Sequence, residues 1–301
     1  MSVIELLIDV MGPVVAIVGV GWLARRRLEF DVATLSRLAF WVLGAAFVLD
    51  VFADAELDRT VVLKLVLAAF LSMTVAVLLA AVAGRTFDLG RSRTSAAAMC
   101  SAYGNVGNAG LAISAFAFGE SAIPFAAVLM IAINVPGMIL GISLATSREH
   151  GVGYGVVRAL SAPMSLAAGV AILMNAFGWS FPLTVERSIS LLGGALIPVM
   201  LLTLGMQLAT SKSLRPEIDI GIVGVIKLAI VPVVAAGLGK TLGLEGDAFG
   251  VLIIQSAMPP AVFCAVVAME FDLEPERVSR TVLGTTLIAL VTLPFVLVAV
   301  T

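Results

Sequence analysis

The sequence predicts an all-α polytopic membrane protein, with ten transmembrane helices forming two inverted five-helix repeats in which helices four and nine are broken and cross. Three observations carry the prediction. The 301 residues are 60% hydrophobic and only 13% charged, with a mean hydropathy of +1.12, a balance outside the range of soluble globular domains. The apolar residues gather into ten stretches of about the length that spans a bilayer. Two of those stretches, the fourth and the ninth, are interrupted by residues that weaken or stop a helix.

In chain order the stretches run 3–23, 33–52, 61–83, 94–118, 122–145, 159–177, 184–208, 219–241, 247–269 and 279–300. The first opens with Glu5 and Asp9 instead of the basic run of a signal peptide, so it is read as a retained span. Short polar connections separate the stretches, among them Arg25-Arg26-Arg27, Asp54 to Arg59, Arg85 to Arg93, Arg148 to His150, Lys212 to Glu217 and Glu270 to Arg277. None has room for a soluble domain, which puts the chemistry inside the membrane. The connections after odd-numbered spans hold thirteen lysines and arginines, whereas the opposite side holds Arg59, Lys64, Arg187 and Lys240. By the positive-inside rule, both termini are expected to face away from the cytoplasm.

Dividing the chain after span five gives residues 1–150 and 151–301, two halves of odd span number that insert upside down relative to each other if they are repeats. Three weak matches keep the same order in both halves. Pro13-Val14-Val15-Ala16 pairs with Pro163-Met164-Ser165-Leu166, and Val62-Leu63-Lys64-Leu65-Val66-Leu67 pairs with Val225-Ile226-Lys227-Leu228-Ala229-Ile230. The third match is the pair of interruptions itself.

Those interruptions are Ser101-Ala102-Tyr103-Gly104-Asn105-Val106-Gly107-Asn108-Ala109-Gly110 and Gln255-Ser256-Ala257-Met258-Pro259-Pro260. An unpaired amide in hydrocarbon costs on the order of several kcal/mol, and glycine weakens a helix. Small residues alone also suit a close helix crossing. Interruptions at corresponding places in two halves, however, are the sequence pointer to a transporter binding site. Pro259 and Pro260 lack N–H donors, so the ninth helix is expected to unwind near Met258; Gly104, Gly107 and Gly110 permit the same in the fourth. Half-helix N-termini at the membrane midplane present N–H donors and partial positive charge, which suits a carboxylate. Asn105, Asn108 and Gln255 add neutral donors, and the inferred ligand is a small organic anion.

Other polar residues in the spans are weighed individually. Lys227 lies about two turns into span eight and reads either as functional or as a lysine snorkelling to the interface. Lys64, a turn from its helix end, reads as snorkelling. Asp50 reads as interfacial or paired with a lysine, and Gln207 as a helix-end residue in a packing motif. Cys100 and Cys264 fall in apolar segments and read as free buried thiols. His150, in a connection, reads as solvated. The sequence contains no metal-ligand cluster, HExxH motif or nucleophile–base pair, so no cofactor, metal or enzymatic activity is expected. A net charge of −2 with no basic stripe gives no reason to expect a nucleic-acid partner.

Three motifs, Gly104 to Leu111 (GNVGNAGL), Gly193 to Leu208 (GGALIPVMLLTLGMQL) and Gln255 to Phe271 (QSAMPPAVFCAVVAMEF), resemble the auxin efflux carrier family, which includes plant PIN proteins and bacterial AEC permeases of the bile acid/arsenite/riboflavin transporter superfamily. The resemblance covers essentially the whole chain, without the long central cytoplasmic loop of plant members. It implies a bacterial inner-membrane permease, usually a homodimer, with a scaffold of spans one, two, six and seven. Spans three to five and eight to ten would form a transport domain moving as an elevator. It carries over Asn105, Asn108, Gly104, Gly107, Gln255, Met258, Pro259 and Pro260 as substrate-site residues, with Lys64, Lys227 and Asp50 as support or coupling candidates. Ala112, where members commonly have proline, Pro260, where many have a polar residue, and Asp50, where a neutral one is expected, depart from the family pattern. The implied function is secondary transport of aromatic carboxylates or small dicarboxylates; the alternative is a sodium-coupled bile-acid-type symporter.

Overall fold

A computed structural model of the chain describes residues 3–53, 57–145, 152–210 and 217–301, and all regular elements among them are helical. Asp54, Arg148, His150, Lys212 and Arg215 lie outside the described residues, as does the 150/151 division; the side chain of Glu5 is likewise not described. The elements are α1 (Val3–Arg27), α2 (Val32–Leu38), a π turn (Ala39–Leu43), α3 (Gly44–Ala53), α4 (Arg59–Thr86), α5 (Gly90–Ala102), a second π turn (Val106–Gly110), α6 (Leu111–Phe118), α7 (Ile123–Ala145) and α8 (Val152–Leu160). They continue with α9 (Pro163–Phe177), α10 (Leu183–Gly194), α11 (Leu196–Thr210), α12 (Ile218–Gly224), a third π turn (Val225–Ile230), α13 (Val231–Thr241), α14 (Gly246–Ser256), α15 (Val262–Glu270) and α16 (Pro275–Val300).

Several helix boundaries follow from capping chemistry. The Asp31 carboxylate accepts from the N–H groups of Ala33 and Thr34 to open α2, and that of Asp58 accepts from Thr60 N–H at 2.6 Å to open α4. The Thr34 hydroxyl foremost, and the Thr60 N–H, hold these two carboxyls below the usual range. Because the folded values are depressed, the caps stabilise fully above the ordinary carboxylate pKa, and that stabilisation is lost as pH falls through the folded values. Pro163 and Pro275 start α9 and α16 where a missing N–H costs nothing, and Gly178, at φ +63°, closes α9.

Seven helices among the described residues are long and apolar enough to cross a membrane, and α8 with α9, bent by 62°, forms an eighth candidate. The chain is therefore a polytopic helical membrane protein. The stretches expected to be spans four and nine each consist of two shorter helices, α5 and α6, and α14 and α15, with an irregular backbone between.

Packing sorts most helices into two groups. In one, α1 lies along α11, and α3 packs on α9 and α10. In the other, α4 touches α5, α7 and α13, α14 touches α7 and α13, and α16 touches α12 and α15. The α1–α11 contact is backbone against backbone. A Cβ added at Gly205 would lie 1.9 Å from the Val18 carbonyl oxygen, and one at Gly21 would lie 2.1 Å from that of Leu202. In the second group, an ionic cluster ties the first turns of α5, α12 and α16 together. Arg93 bonds Asp219 at 2.9 Å, Arg277 reaches Asp219 at 3.6 Å and Glu217 at 3.5 Å, and Arg280 bonds Glu217.

The Asp219 side chain is only 7% exposed, whereas Glu276, which pairs with Arg280 at the rim, is 84% exposed. Asp219→Asn leaves two guanidinium groups facing a neutral amide. It is expected to cost about 1–3 kcal/mol, below the range for fully buried pairs because Arg93 keeps some solvent. Glu276→Gln is expected to change stability by less than about 0.5 kcal/mol. Thermal unfolding of the two variants in detergent checks the contrast.

Candidate functional site at the helix crossing

Proline chemistry builds the site from one side. Pro259 and Pro260 cannot donate to a helix, so α14 ends at Ser256 and the chain runs irregularly to Ala261 before α15 restarts. On the other side α5 ends at Ala102, and Tyr103 to Asn105 leave the helix before the π turn begins. The two irregular pieces run antiparallel, with Gly104 opposite Pro260. Asn105 N–H donates to the Pro259 carbonyl at 2.7 Å, and Ala261 N–H donates to the Tyr103 carbonyl at 2.8 Å. Each break thus satisfies backbone groups that the other frees, as hydrocarbon surroundings demand. Of the three glycines expected to unwind span four, Gly104 lies in the irregular piece, while Gly107 and Gly110 lie in the π turn.

Two glycines make room for polar side chains. A Cβ at Gly104 would stand 3.0 Å from Lys227 Nζ, and a Cβ at Gly110 would stand 2.1 Å from Gln255 Oε1. Lys227 is 2% exposed, so its ammonium lies at the crossing instead of snorkelling to an interface. Gln255 is completely buried and Asn105 nearly so. Both amide atoms of Gln255, the Asn105 Nδ2 and the hydroxyls of Ser101 and Ser114 are buried without a hydrogen-bond partner. Met258, Pro259 and Pro260 are buried around them. Asn108 and Gly107 are half-buried, and a Cβ at Gly107 would lie 3.7 Å from both Met130 and Met200, so this part of the motif faces α7 and α11. The helical segments that restart after each break have no side-chain cap at Asn105 or Ala261. Amide N–H groups, uncapped backbone and one ammonium are hydrogen-bond donors, and such a set receives an anion.

The other two charged candidates lie elsewhere. Lys64 donates to the Gly243 carbonyl at 3.3 Å, in the turn between α13 and α14. Asp50 lines a cavity with Glu186 and Arg187 where α3 meets α10. The sequence match between the Lys64 and Lys227 segments therefore brings the two lysines to different places.

The sequence reading missed an aromatic cluster beside the break. Tyr103 meets Phe263 edge-on at 5.9 Å, and Phe263 stacks on Phe40 at 6.5 Å. A narrow cleft lined by Phe40, Tyr103, Asn134, Met138 and Met164 runs between the two helix groups. Asn134, two residues before Pro136 in an apolar helix, carried the same kind of signal as the motif asparagines. Cys100 and Cys264 are both buried free thiols, and the Cys264 thiol lies 3.9 Å from the Tyr103 carbonyl oxygen.

Comparison with known proteins finds relatives described as transporters. Residues 152–297 match the family described as membrane transport protein. An uncharacterized transporter of Methanothermobacter thermautotrophicus is 28% identical over 277 residues, 88% of either chain. A putative malonate transporter of Rhizobium meliloti is 29% identical over 202 residues, 64% of this chain and 62% of its own. Auxin efflux carrier component 3a of rice (Oryza sativa subsp. japonica) is 33% identical over 129 residues, 40% of this chain and 20% of its own.

Proposed function

We propose, from the match of residues 152–297 to the membrane transport protein family, that the chain is a secondary transporter of small organic anions that binds its substrate at the crossing of the two broken helices. The single observation that carries this reading is the pair of buried, unpartnered amide nitrogens of Asn105 and Gln255 on either side of two reciprocally bonded helix breaks. Protein interiors rarely leave such groups unsatisfied, and a carboxylate would accept from the Asn105 Nδ2 and Gln255 Nε2 groups. The likeness to a putative malonate transporter and to auxin efflux carriers supports a carboxylate as substrate.

In this reading, eight candidate spans and the two broken ones make ten, arranged as inverted repeats with both termini outside the cytoplasm of a bacterial inner membrane. The group containing α1, α3, α9, α10 and α11 serves as the scaffold of a homodimer. The group containing α4, α5, α7 and α12 to α16 carries the anion across by an elevator movement. The half-buried Gly107, which faces α7 and α11, marks the side through which substrate would enter. A sodium-coupled symporter is the second reading, but an ammonium beside Gly104 repels a cation, which favours transport without sodium.

The test is uptake into proteoliposomes with charge movement recorded on a supported membrane. Indole-3-acetate, malate, malonate and a bile acid are each added with and without sodium. A carboxylate signal in sodium-free buffer is expected; a signal confined to sodium buffer moves the protein to the symporter class. Asn108→Ala combined with Gln255→Ala is expected to abolish uptake while expression and particle size stay unchanged. Normal uptake by the double variant sinks the crossing as the site.

A further inference from the structure

The proposed site contains one basic side chain, and that side chain limits what it can carry. Lys227 is buried to 2% exposure in the π turn between α12 and α13. Among the described residues no carboxylate lies within ion-pair distance of its ammonium. The acid of its own helix, Asp219, is already held by Arg93 and Arg277 two turns away. Facing Lys227 is the Gly104 backbone from the first break. The remaining polar groups of the crossing, on Asn105, Gln255, Ser101 and Ser114, are all neutral.

Resting on the anion-carrier reading, we propose that Lys227 is the resident counter-cation of the substrate and that the site therefore takes a singly charged carboxylate: a monocarboxylate, or a dicarboxylate with one acid group protonated or esterified. One ammonium neutralises one carboxylate. A second ionised carboxylate would be buried among amides and hydroxyls with no opposing charge, and burying an unpaired charge is far costlier than burying a neutral polar group. Neutral amides instead suit the uncharged remainder of the ligand, to which they offer both donors and acceptors. A cation supplied by the protein would also take the place of a metal ion at the crossing, in line with the expected carriage without sodium.

The experiment uses the full-length protein in detergent with potassium salts of monomethyl malonate, malonate and indole-3-acetate at neutral pH, reading ligand-induced shifts in melting temperature. The same preparations are then tested for uptake in liposomes. Monomethyl malonate is expected to bind wild type at least about tenfold more tightly than malonate. Lys227→Met is expected to melt at a higher temperature than wild type without ligand, because an unpaired buried cation has been replaced by an apolar chain of similar length. It is also expected to lose the carboxylate-induced shifts. Lys227→Gln, which keeps a donor without the charge, should lose them too; it serves in place of Lys227→Met if the latter is not monodisperse.

The proposal is overturned if either variant keeps the wild-type carboxylate shifts, or if malonate binds wild type more tightly than its monoester. Persistent uptake by Lys227→Met would dismiss the counter-cation and spare the carrier. Charge-selective shifts without uptake of any carboxylate by wild type would sink the carrier and support the counter-cation.

Discussion

Gly205→Ala is expected to destabilise the protein by about 3 kcal/mol or more, at the upper end of the cost of overpacking. The added methyl would fall 1.9 Å from the Val18 carbonyl oxygen and 2.8 Å from the Trp22 backbone nitrogen, so neither neighbour is a side chain that can turn away. The helices α1 and α11 must separate along the whole contact, and the reciprocal approach at Gly21 opens with it. In a membrane this loss is not recovered by a hydrophobic term, because lipid tails are as apolar as the surfaces exposed; close packing is the main attraction. Gly19→Ala, two residues from Gly21 but with nothing within 4 Å of the new Cβ, is expected to be neutral or slightly stabilising. Unfolding followed by tryptophan fluorescence compares the two. A Gly205→Ala protein as stable as wild type would mean that this contact is not made.

Gly110→Ala is expected to leave the fold intact and remove most of the transport. Its methyl would come 2.1 Å from Gln255 Oε1 and 3.0 Å from Met258 Cγ, both parts of flexible side chains. The chain can therefore accommodate it by turning the Gln255 amide out of its place. The change should be small in melting temperature and large in carboxylate affinity, on the order of tenfold or more for a buried hydrogen-bonding partner moved out of register. Gly237→Ala on α13, where the new Cβ meets nothing within 4 Å, is the control. Concentration-dependent uptake in liposomes separates the two variants. Equal uptake by all three proteins would remove Gln255 from the site.

How much of this was legible before any coordinates follows from the range of each interaction. The helix breaks were legible at Pro259-Pro260 and around Gly104, because proline and glycine act on their own backbone. The position of Lys227 was not. Its place beside Gly104 depends on the depth and rotation of a helix that contains a π turn, and on a partner 123 positions earlier in the chain, from 104 to 227. The similar segment around Lys64 pointed to equivalence, but that lysine is engaged with the Gly243 carbonyl. The ionic cluster escaped for the same reason. Glu217 stood only at the end of a polar connection and Asp219 at the start of a span, and their arginines come from segments 126 and 60 residues away. Gly205 was read within a packing motif, but its partner on α1 could not be named, since small residues mark a close approach without saying to what.

The paired backbone bonds between the two breaks also bear on how the chain is made. As the chain is synthesised, Tyr103 and Asn105 enter the bilayer long before Pro259 and Ala261 exist to accept and donate the bonds that complete them. Until then the first half holds an open carbonyl and an open N–H in surroundings without water. The N-terminal half on its own is thus an incomplete product that must be shielded, by the insertion machinery or by another chain, until α14 and α15 arrive. A truncation after α11 should be recognised as unfinished and degraded, whereas two half-chains produced together should rescue each other by closing the same pair of bonds across separate molecules.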